Sequence, residues 1–455
     1  MVGRAAWWGR ARQIVPAPLA LVLLGSAALQ GVVLWRAHQG AGLGVLTSDS
    51  RDYISLAHAL VDDRRYLIYP GGAPAFFRSP GYPAFLALVW LVTPDSPWYG
   101  LVAQAVVAVV GLLILYHVAV RFIGGTRLPL LVTVVVAIDP IRVMAAGRVL
   151  SETLFTTLLF GFILSCTRLA GSPHPARRLM VAGTLLTAAT FVRPTTYYLP
   201  LVVVLLLVVG AWRWGWGWRK GLIAVGAFLL PAVVLCGSWQ VRNQQQIHSS
   251  SLAGVQDFNL YFFWAAPAVA VDQGRPAEAV RQEFKHHVGT ISNRAAQEHR
   301  VPARYPTVGS WYDDLGARGS TLLRHHPGGA ATVAWRGAKR LMTETPDDVV
   351  DRYWAWTRPG AVRYVQRTWP YVLLCGAALG LWPVVRRGAR ERFTGVLVVG
   401  TMLYLVASSS GYGADSRFRV PVTPLLVLVT AAGAAAAGSA LSGWRSTLAP
   451  RRSSP

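Results

Sequence analysis

Ten apolar runs constrain this chain more than any other feature: residues 14–36, 98–120, 128–147, 150–167, 179–192, 195–212, 221–240, 369–385, 393–409 and 420–443. A helix needs about 20 mostly apolar residues to cross the hydrocarbon core of a bilayer, and these runs reach or approach that length. Apolar residues make up 53% of the 455 and charged residues only 14%, where about 25% is usual for soluble domains. That composition excludes an ordinary soluble enzyme and a disordered chain. The three cysteines, Cys166, Cys236 and Cys375, sit inside apolar runs, so neither a disulfide framework nor a zinc site is readable. The expected fold class is an all-α polytopic membrane protein. It has about ten transmembrane helices, amphipathic juxtamembrane helices and a small extracytoplasmic subdomain.

Charge parity orients the spans. The net charge is +24, which taken alone would suggest nucleic acid. With the amino end inside and ten spans, however, the compact basic loops all fall on the cytoplasmic face. They are the groups Arg4, Arg10 and Arg12; Arg121 and Arg127; Arg168, Arg177 and Arg178; Arg213, Arg219 and Lys220; Arg386, Arg387, Arg390 and Arg392; and Arg445, Arg451 and Arg452. The one acid among these loops is Glu391. This is the positive-inside pattern, and it explains the basic excess with no nucleic-acid partner. The apolar run 82–92 is too short to span, and counting it as a span would turn most of those arginines outside. The run 14–36 exceeds a usual signal-peptide core and no clean A-x-A-like site follows it, so a retained first span is expected. The expected organisation is a transmembrane catalytic module over 1–240 with a first outer loop at 37–97. An extracytoplasmic subdomain over 241–368 follows, then carboxy-terminal helices and a cytoplasmic tail over 369–455.

Carriers usually place ionisable residues mid-span, where an ion or substrate meets the midplane. Here five runs hold no charge except Arg36 at an outer end. The ionisable residues gather instead at the outer ends: Asp49, Asp52, Arg78, Asp139, Arg142, Arg148, Glu152, Arg193, Arg242, Arg417 and Arg419. Charges at one depth indicate a site at the outer face and favour an enzyme over a conduit. The alternative from another class is a flippase or transporter of a lipid-linked sugar.

In the first outer loop, Tyr53, Leu56, Ala57 and Leu60 recur at helical spacing, so 50–61 is expected to form an amphipathic helix on the membrane surface. Asp49 falls at its amino end, where a plain helix cap is the alternative to a chemical role. The segment Arg78-Ser79-Pro80-Gly81-Tyr82-Pro83 follows. Later come Ser151-Glu152-Thr153-Leu154-Phe155, Val192-Arg193-Pro194, Trp239-x-x-Arg242-Asn243 and Ser416-Arg417-Phe418-Arg419-Val420-Pro421. With Asp49-x-x-x-Tyr53-x-x-x-Ala57, these six pieces in order resemble the polytopic glycosyltransferases of the GT-C superfamily that use polyprenyl-phosphate sugars. That group includes the dolichyl-phosphate-mannose protein mannosyltransferases and the bacterial aminoarabinose transferases acting on lipid A.

The resemblance implies a bacterial plasma-membrane enzyme of the cell envelope. It would transfer one sugar, with inversion, from a polyprenyl-phosphate carrier to a lipid, glycan or protein acceptor on the extracytoplasmic face. Asp49 matches the family's catalytic aspartate, which takes the acceptor hydroxyl's proton as general base. Arg78, Arg242, Arg417 and Arg419 are the candidates for gripping the donor phosphate, since a planar guanidinium fork holds phosphate bidentately; snorkelling to lipid headgroups is the alternative. Glu152 matches an acidic position in the second outer loop and would orient the site or bind a metal; as a first-turn glutamate it also suits the helix dipole. Asp52 and Tyr53 stand as supports of Asp49. Asp139 either joins the site or pairs with Arg142 or Arg148. Arg193, before a helix-breaking proline, either joins the site or satisfies loosened carbonyls. Two adjacent acids, frequent in eukaryotic relatives, are absent, Asp49 and Asp52 being separated, so a divalent metal (Mg or Mn) is left open and no other cofactor is expected. The loop histidines His248, His286, His287, His299, His325 and His326 lack ligand spacing and are expected to be solvated. Trp311-Tyr312 and Tyr353-Trp354-Ala355-Trp356 offer sugar-stacking faces or interfacial anchors.

Overall fold

In a computed structural model of the chain, residues 16–39, 46–167, 169, 171–289, 301–302, 304–345, 350, 354, 357–386 and 389–448 are described. Arg4, Arg10, Arg12, Arg168, Arg387, Arg451, Arg452, His299, Tyr353, Ala355 and Trp356 lie outside the described residues, as do the side chains of Arg386, Arg390, Glu391 and Arg445. The described residues are helical, with no strand beyond an isolated bridge between Leu67 and Pro74.

Each apolar run lies on a helix or a broken helix. They are α1 (Ala17–His38), α4 (Pro97–Ile123), α5 and α6 (Arg127–Ala137 and Pro140–Ala146), α7 (Glu152–Cys166), α8 (Pro175–Val192), α9 (Leu199–Arg213), α10 (Trp218–Ile247), α16 (Pro359–Arg386), α17 (Ala389–Ser409) and α18 (Val422–Leu448). Among the described residues, five segments are long and apolar enough to cross a membrane by themselves: Ala17–His38, Pro97–Ile123, Pro194–Arg213, Trp218–Ile247 and Arg392–Ser409. The α5–α6 pair adds a sixth if taken as one span; it bends by 61° at Asp139-Pro140. Proline lacks an N–H for the helical ladder and clashes with the preceding turn, so the chain restarts there, with the Asp139 carboxylate accepting from the Ile141 N–H at 3.2 Å.

Two elements lie between α1 and α4. The first, α2 (Ser48–Asp62), is the amphipathic helix read from the spacing, and its buried face carries Tyr53, Leu56 and Ala57. The second, α3 (Gly81–Trp90), covers the short apolar run. At ten residues it is about 15 Å long, half the hydrocarbon thickness.

After α10 the chain forms short helices: α11 (Gly254–Asn259), a π-helical turn (Leu260–Ala265), α12 (Ala266–Asp272), α13 (Ala277–Val288), α14 (Val308–His325) and α15 (Pro327–Thr343). The π-helical turn and α14 supply an apolar cluster in which Tyr261, Phe262, Trp311, Tyr312 and Leu315 pack on Phe76 and Phe77 of the first loop. Trp311 and Tyr312 are thus core residues, 2% and 1% exposed, and their faces are not free to stack on a sugar. The amino end of α11 hangs directly on that loop, with Gly254 and Val255 N–H groups donating to the Phe76 and Phe77 carbonyls at 3.0 and 3.1 Å.

Candidate active site

Four ends meet at one end of the long helices: the start of α2, the start of α7, the end of α8, and a 3₁₀ turn (Ser416–Arg419) between α17 and α18. Thr47, not Asp49, caps α2: it forms a reciprocal capping box with Ser50. The Asp49 carboxylate is therefore free for other partners. Its Oδ1 accepts from Arg78 at 2.7 Å and its Oδ2 from Arg417 at 2.9 Å. One turn on, Asp52 Oδ2 accepts from Arg78 Nε and a terminal nitrogen at 3.1 and 3.0 Å. Across the site Glu152, 2% exposed, pairs with Arg193 at 2.7 Å, and its Oε1 lies 3.9 Å from Arg417 Nε. Asp415 caps the 3₁₀ turn through the Arg417 N–H and faces Arg417 Nε at 3.5 Å.

Burial alone would raise the Asp49 carboxyl; Arg78 and Arg417 more than offset this and hold it below the usual carboxylate range. Asp52, with one guanidinium and the neighbouring Asp49 charge, is pushed up by burial instead. Burial also works against the Arg417 cation, and Glu152, Asp415 and Asp49 reverse that. Stacking fixes the forks: Arg78 lies over the rings of Phe77 and Tyr53 (4.9 and 5.5 Å), and Arg193 and Arg417 lie over Phe418 (5.2 and 5.3 Å).

Local braces hold these groups. Ser50 Oγ donates to the Val149 carbonyl at 2.8 Å, joining α2 to the segment before Glu152. Tyr53 packs edge-on against Tyr82, whose hydroxyl donates to Gln104 at 2.6 Å. Gly81 lets the Arg78 loop press on the backbone of Phe191 and Val192; a Cβ there would lie 2.5 Å from the Phe191 carbonyl carbon.

The cluster borders two cavities. One, about 340 Å³, is walled by Asp49, Arg78, Glu152, Arg193 and Arg417 and by the aromatic residues Phe258, Phe263, Trp264 and Phe418. The other, about 560 Å³, lies on the far side of Arg78 and is lined by Asp49, Asp52, Arg51, Ser55 and Tyr69. Asp49, Phe77 and Arg78 belong to both.

The structure thus brings together Asp49, Asp52, Tyr53, Arg78, Glu152, Arg193 and Arg417. It does not bring in Arg242, Arg419 or Asp139. Arg242 donates to the carbonyls of Ala75 and Tyr66 at 2.8 and 3.0 Å and stacks on Trp239, bracing the loop that carries Arg78. Arg419 points away from the cavity, donating to the Met342 carbonyl and to Gln366. Asp139 is the cap of α6 and accepts from Gln366 at 3.3 Å. The residues that sequence reasoning missed are Asp415, Asn259, Phe258, Phe263 and Trp264. In the sequence the aromatic ones look like any buried stretch; Phe263 and Trp264 lie on the π-helical turn and Phe258 on α11. Among the described residues, no group of three or more His, Cys, Asp or Glu side chains could hold a metal ion. The carboxylates of the cluster are engaged by guanidiniums. His326, expected to be solvated, pairs with Asp272 at 2.8 Å.

The helical fold that carries this carboxylate–guanidinium cluster is similar to the folds of several solved structures. The apo oligosaccharyltransferase of Archaeoglobus fulgidus is similar with a TM-score of 0.51 at 10% identity, over 95% of this chain and 52% of that one. The same organism's oligosaccharyltransferase AglB, in complex with an inhibitory peptide and a dolichol-phosphate, gives 0.46 at 11% identity, over 96% and 52%. ArnT from Cupriavidus metallidurans bound to undecaprenyl phosphate gives 0.40 at 14% identity, over 95% and 81%. The chain spans about half the length of the oligosaccharyltransferase. At 10% identity the likeness to the apo oligosaccharyltransferase is one of fold. No protein-family profile and no curated protein sequence matches the chain.

Proposed function

We propose that this protein is a multi-pass membrane glycosyltransferase. It moves a sugar from a polyprenyl-phosphate carrier to an acceptor hydroxyl at the outer face of the bacterial plasma membrane, with ten spans and both ends inside. The observation that carries this reading is that Asp49 lines both cavities at once. A base that serves two substrates must stand on the wall between them. The donor phosphate takes the cavity with Arg417, Arg193 and Arg78; the acceptor takes the one with Asp52, Ser55 and Tyr69.

In the transfer, Asp49 accepts the proton of the acceptor hydroxyl as its oxygen bonds to the anomeric carbon. The carbon–oxygen bond to the phosphate breaks from the opposite side, its electron pair leaves with the polyprenyl phosphate, and the anomeric centre inverts. Fixed guanidiniums stabilise the charge that grows on that phosphate. Glu152 orients Arg193 and Arg417; its buried, ion-paired carboxylate suits that role better than proton transfer.

Release of radiolabelled sugar from polyprenyl-phosphate donors, in membranes holding wild type or Asp49→Asn, tests the reading. The asparagine keeps the shape and removes the base, and a loss of at least about 100-fold is expected. Equal turnover in both would remove Asp49 from the mechanism. Absence of turnover with every donor, together with carrier movement across the bilayer, would establish the flippase instead.

A further inference from the structure

The 3₁₀ turn Ser416–Arg419 sends its two arginines in different directions. In a 3₁₀ helix neighbouring side chains step by a third of a turn, so positions 417 and 419 cannot face one way. Arg417 reaches Asp49. Arg419, 4% exposed, enters a second buried polar chain. One of its terminal nitrogens donates to the Met342 carbonyl near the end of α15, and the other donates to Gln366 Oε1 on α16 at 2.9 Å. Gln366, 1% exposed, turns its amide nitrogen to Asp139 Oδ1 at 3.3 Å. Asp139, 7% exposed, caps α6.

The order of donors allows one arrangement. Arginine has only donors and an ionised aspartate only acceptors, so an amide between them must place its oxygen toward Arg419 and its nitrogen toward Asp139. A flip would break both bonds in a site closed to water, where an unmade hydrogen bond is costly. The chain therefore fixes the distance between the 3₁₀ turn, α16 and the α5–α6 break. That break leads through α6 and the segment 147–151 to Glu152, and Ser50 ties the same segment to the start of α2 through Val149. One end of the buried chain thus terminates on the turn that carries Arg417, and the other on the break that leads to Glu152.

We propose that Arg419, Gln366 and Asp139 are positioning residues. Gln366 bridges two buried opposite charges and so locks the turn that aims Arg417 at Asp49 and Glu152. The proposal rests on the glycosyltransferase reading only for what Arg417 grips. The aim of Arg417 is testable without a substrate.

Thermal unfolding of the full chain in detergent is followed for wild type, Gln366→Leu, Asp49→Asn and the double variant. Residues without a shared partner give additive shifts, and coupled ones do not. Gln366 does not touch Asp49, so the expected result is a double variant whose melting temperature falls by clearly less than the sum of the single shifts, because a loosened turn has already weakened the Arg417–Asp49 pair. Additive shifts would overturn the proposal. If Gln366→Leu does not fold, Arg419→Lys is read in the same cycle. Lysine keeps the buried charge but cannot span the Met342 carbonyl and Gln366 together. Binding of undecaprenyl phosphate separates the two readings. Retained binding in wild type with at least a tenfold loss in Gln366→Leu, and no further loss when Arg417→Ala is added, is expected. A further loss in that combination would overturn the proposal. No binding by wild type, beside a non-additive melting cycle, would overturn the glycosyltransferase reading and leave the positioning role standing.

Discussion

Asp257 on α11 offers a quantitative test of how the wall of the donor cavity is built. Its neighbours Phe258 and Asn259 line that cavity, while its own carboxylate turns inward toward Asp313 of α14. Oδ2 is buried without a hydrogen-bond partner among the described residues. Burial first, and the Asp313 charge second, push the carboxyl from 3.8 up to about 6, against an opposing hydrogen bond from Ser251. A group that holds its proton more tightly when folded adds stability that is fully present below its unfolded value and is lost as pH rises through its folded value. The window here runs from 3.8 to about 6. At 1.36 kcal/mol per unit, the ionised carboxylate costs the fold about 3 kcal/mol near pH 7.5 and about 1 kcal/mol near pH 4.5. Asp257→Asn removes the charge and keeps the shape. The expected outcome is therefore a variant more stable than wild type near neutrality, with the gain shrinking by about 2 kcal/mol on acidification to pH 4.5. Denaturant melts of the detergent-solubilised protein at the two pH values measure this. A variant that is less stable at pH 7.5, or a gain independent of pH, would refute the account, since either means the carboxylate is paired or hydrated after all.

Gly81→Ala places a Cβ 2.5 Å from the Phe191 backbone, which cannot retreat as a side chain can. It is expected to cost about 1–3 kcal/mol by overpacking and to lower donor turnover by shifting Arg78; a wild-type melt and rate would sink this. Arg242→Lys loses the fork that spans the Ala75 and Tyr66 carbonyls. Limited proteolysis is expected to cut the 66–78 loop faster in that variant, and an unchanged cleavage rate would show that Arg242 does not brace it.

The fold was legible because hydrophobic runs are long-range facts written locally. The runs 14–36 and 98–120 became Ala17–His38 and Pro97–Ile123, and the helical spacing at 50–61 became Ser48–Asp62. What hydropathy could not show is where a helix continues beyond its apolar stretch. The run 369–385 is the last part of Pro359–Arg386, and 221–240 extends to Ile247 through the polar Arg242-Asn243 segment, because intrahelical hydrogen bonds are indifferent to side-chain polarity. Likewise, 128–147 reads as one run, and only Pro140 marks the bend inside it. Ten spans were expected, and among the described residues five or six helices are long and apolar enough to qualify; α7, α8, α16 and α18 are not among them.

The site was legible as a level but not as a set of pairs. Outer-end placement singled out eleven charged residues, yet Arg417 and Asp49 are 368 positions apart, and which arginine meets which carboxylate depends on the facing of distant ends. The pairing carries its own consequence. Arg78, Arg193 and Arg417 stand against Asp49, Asp52, Glu152 and Asp415, so every guanidinium of the cluster is ion-paired before any ligand arrives. An entering phosphate must then compete with a carboxylate for a guanidinium. Arg417 is the most exposed of the three at 35%, and the carboxylate it bonds directly is Asp49. On the proposed reading, a phosphate that draws Arg417 away removes one of the two cations holding Asp49 below its ordinary range. The carboxylate thereby becomes a stronger base. Base strength and leaving-group stabilisation would then arise from one exchange of partners, and they would do so only when the donor is bound.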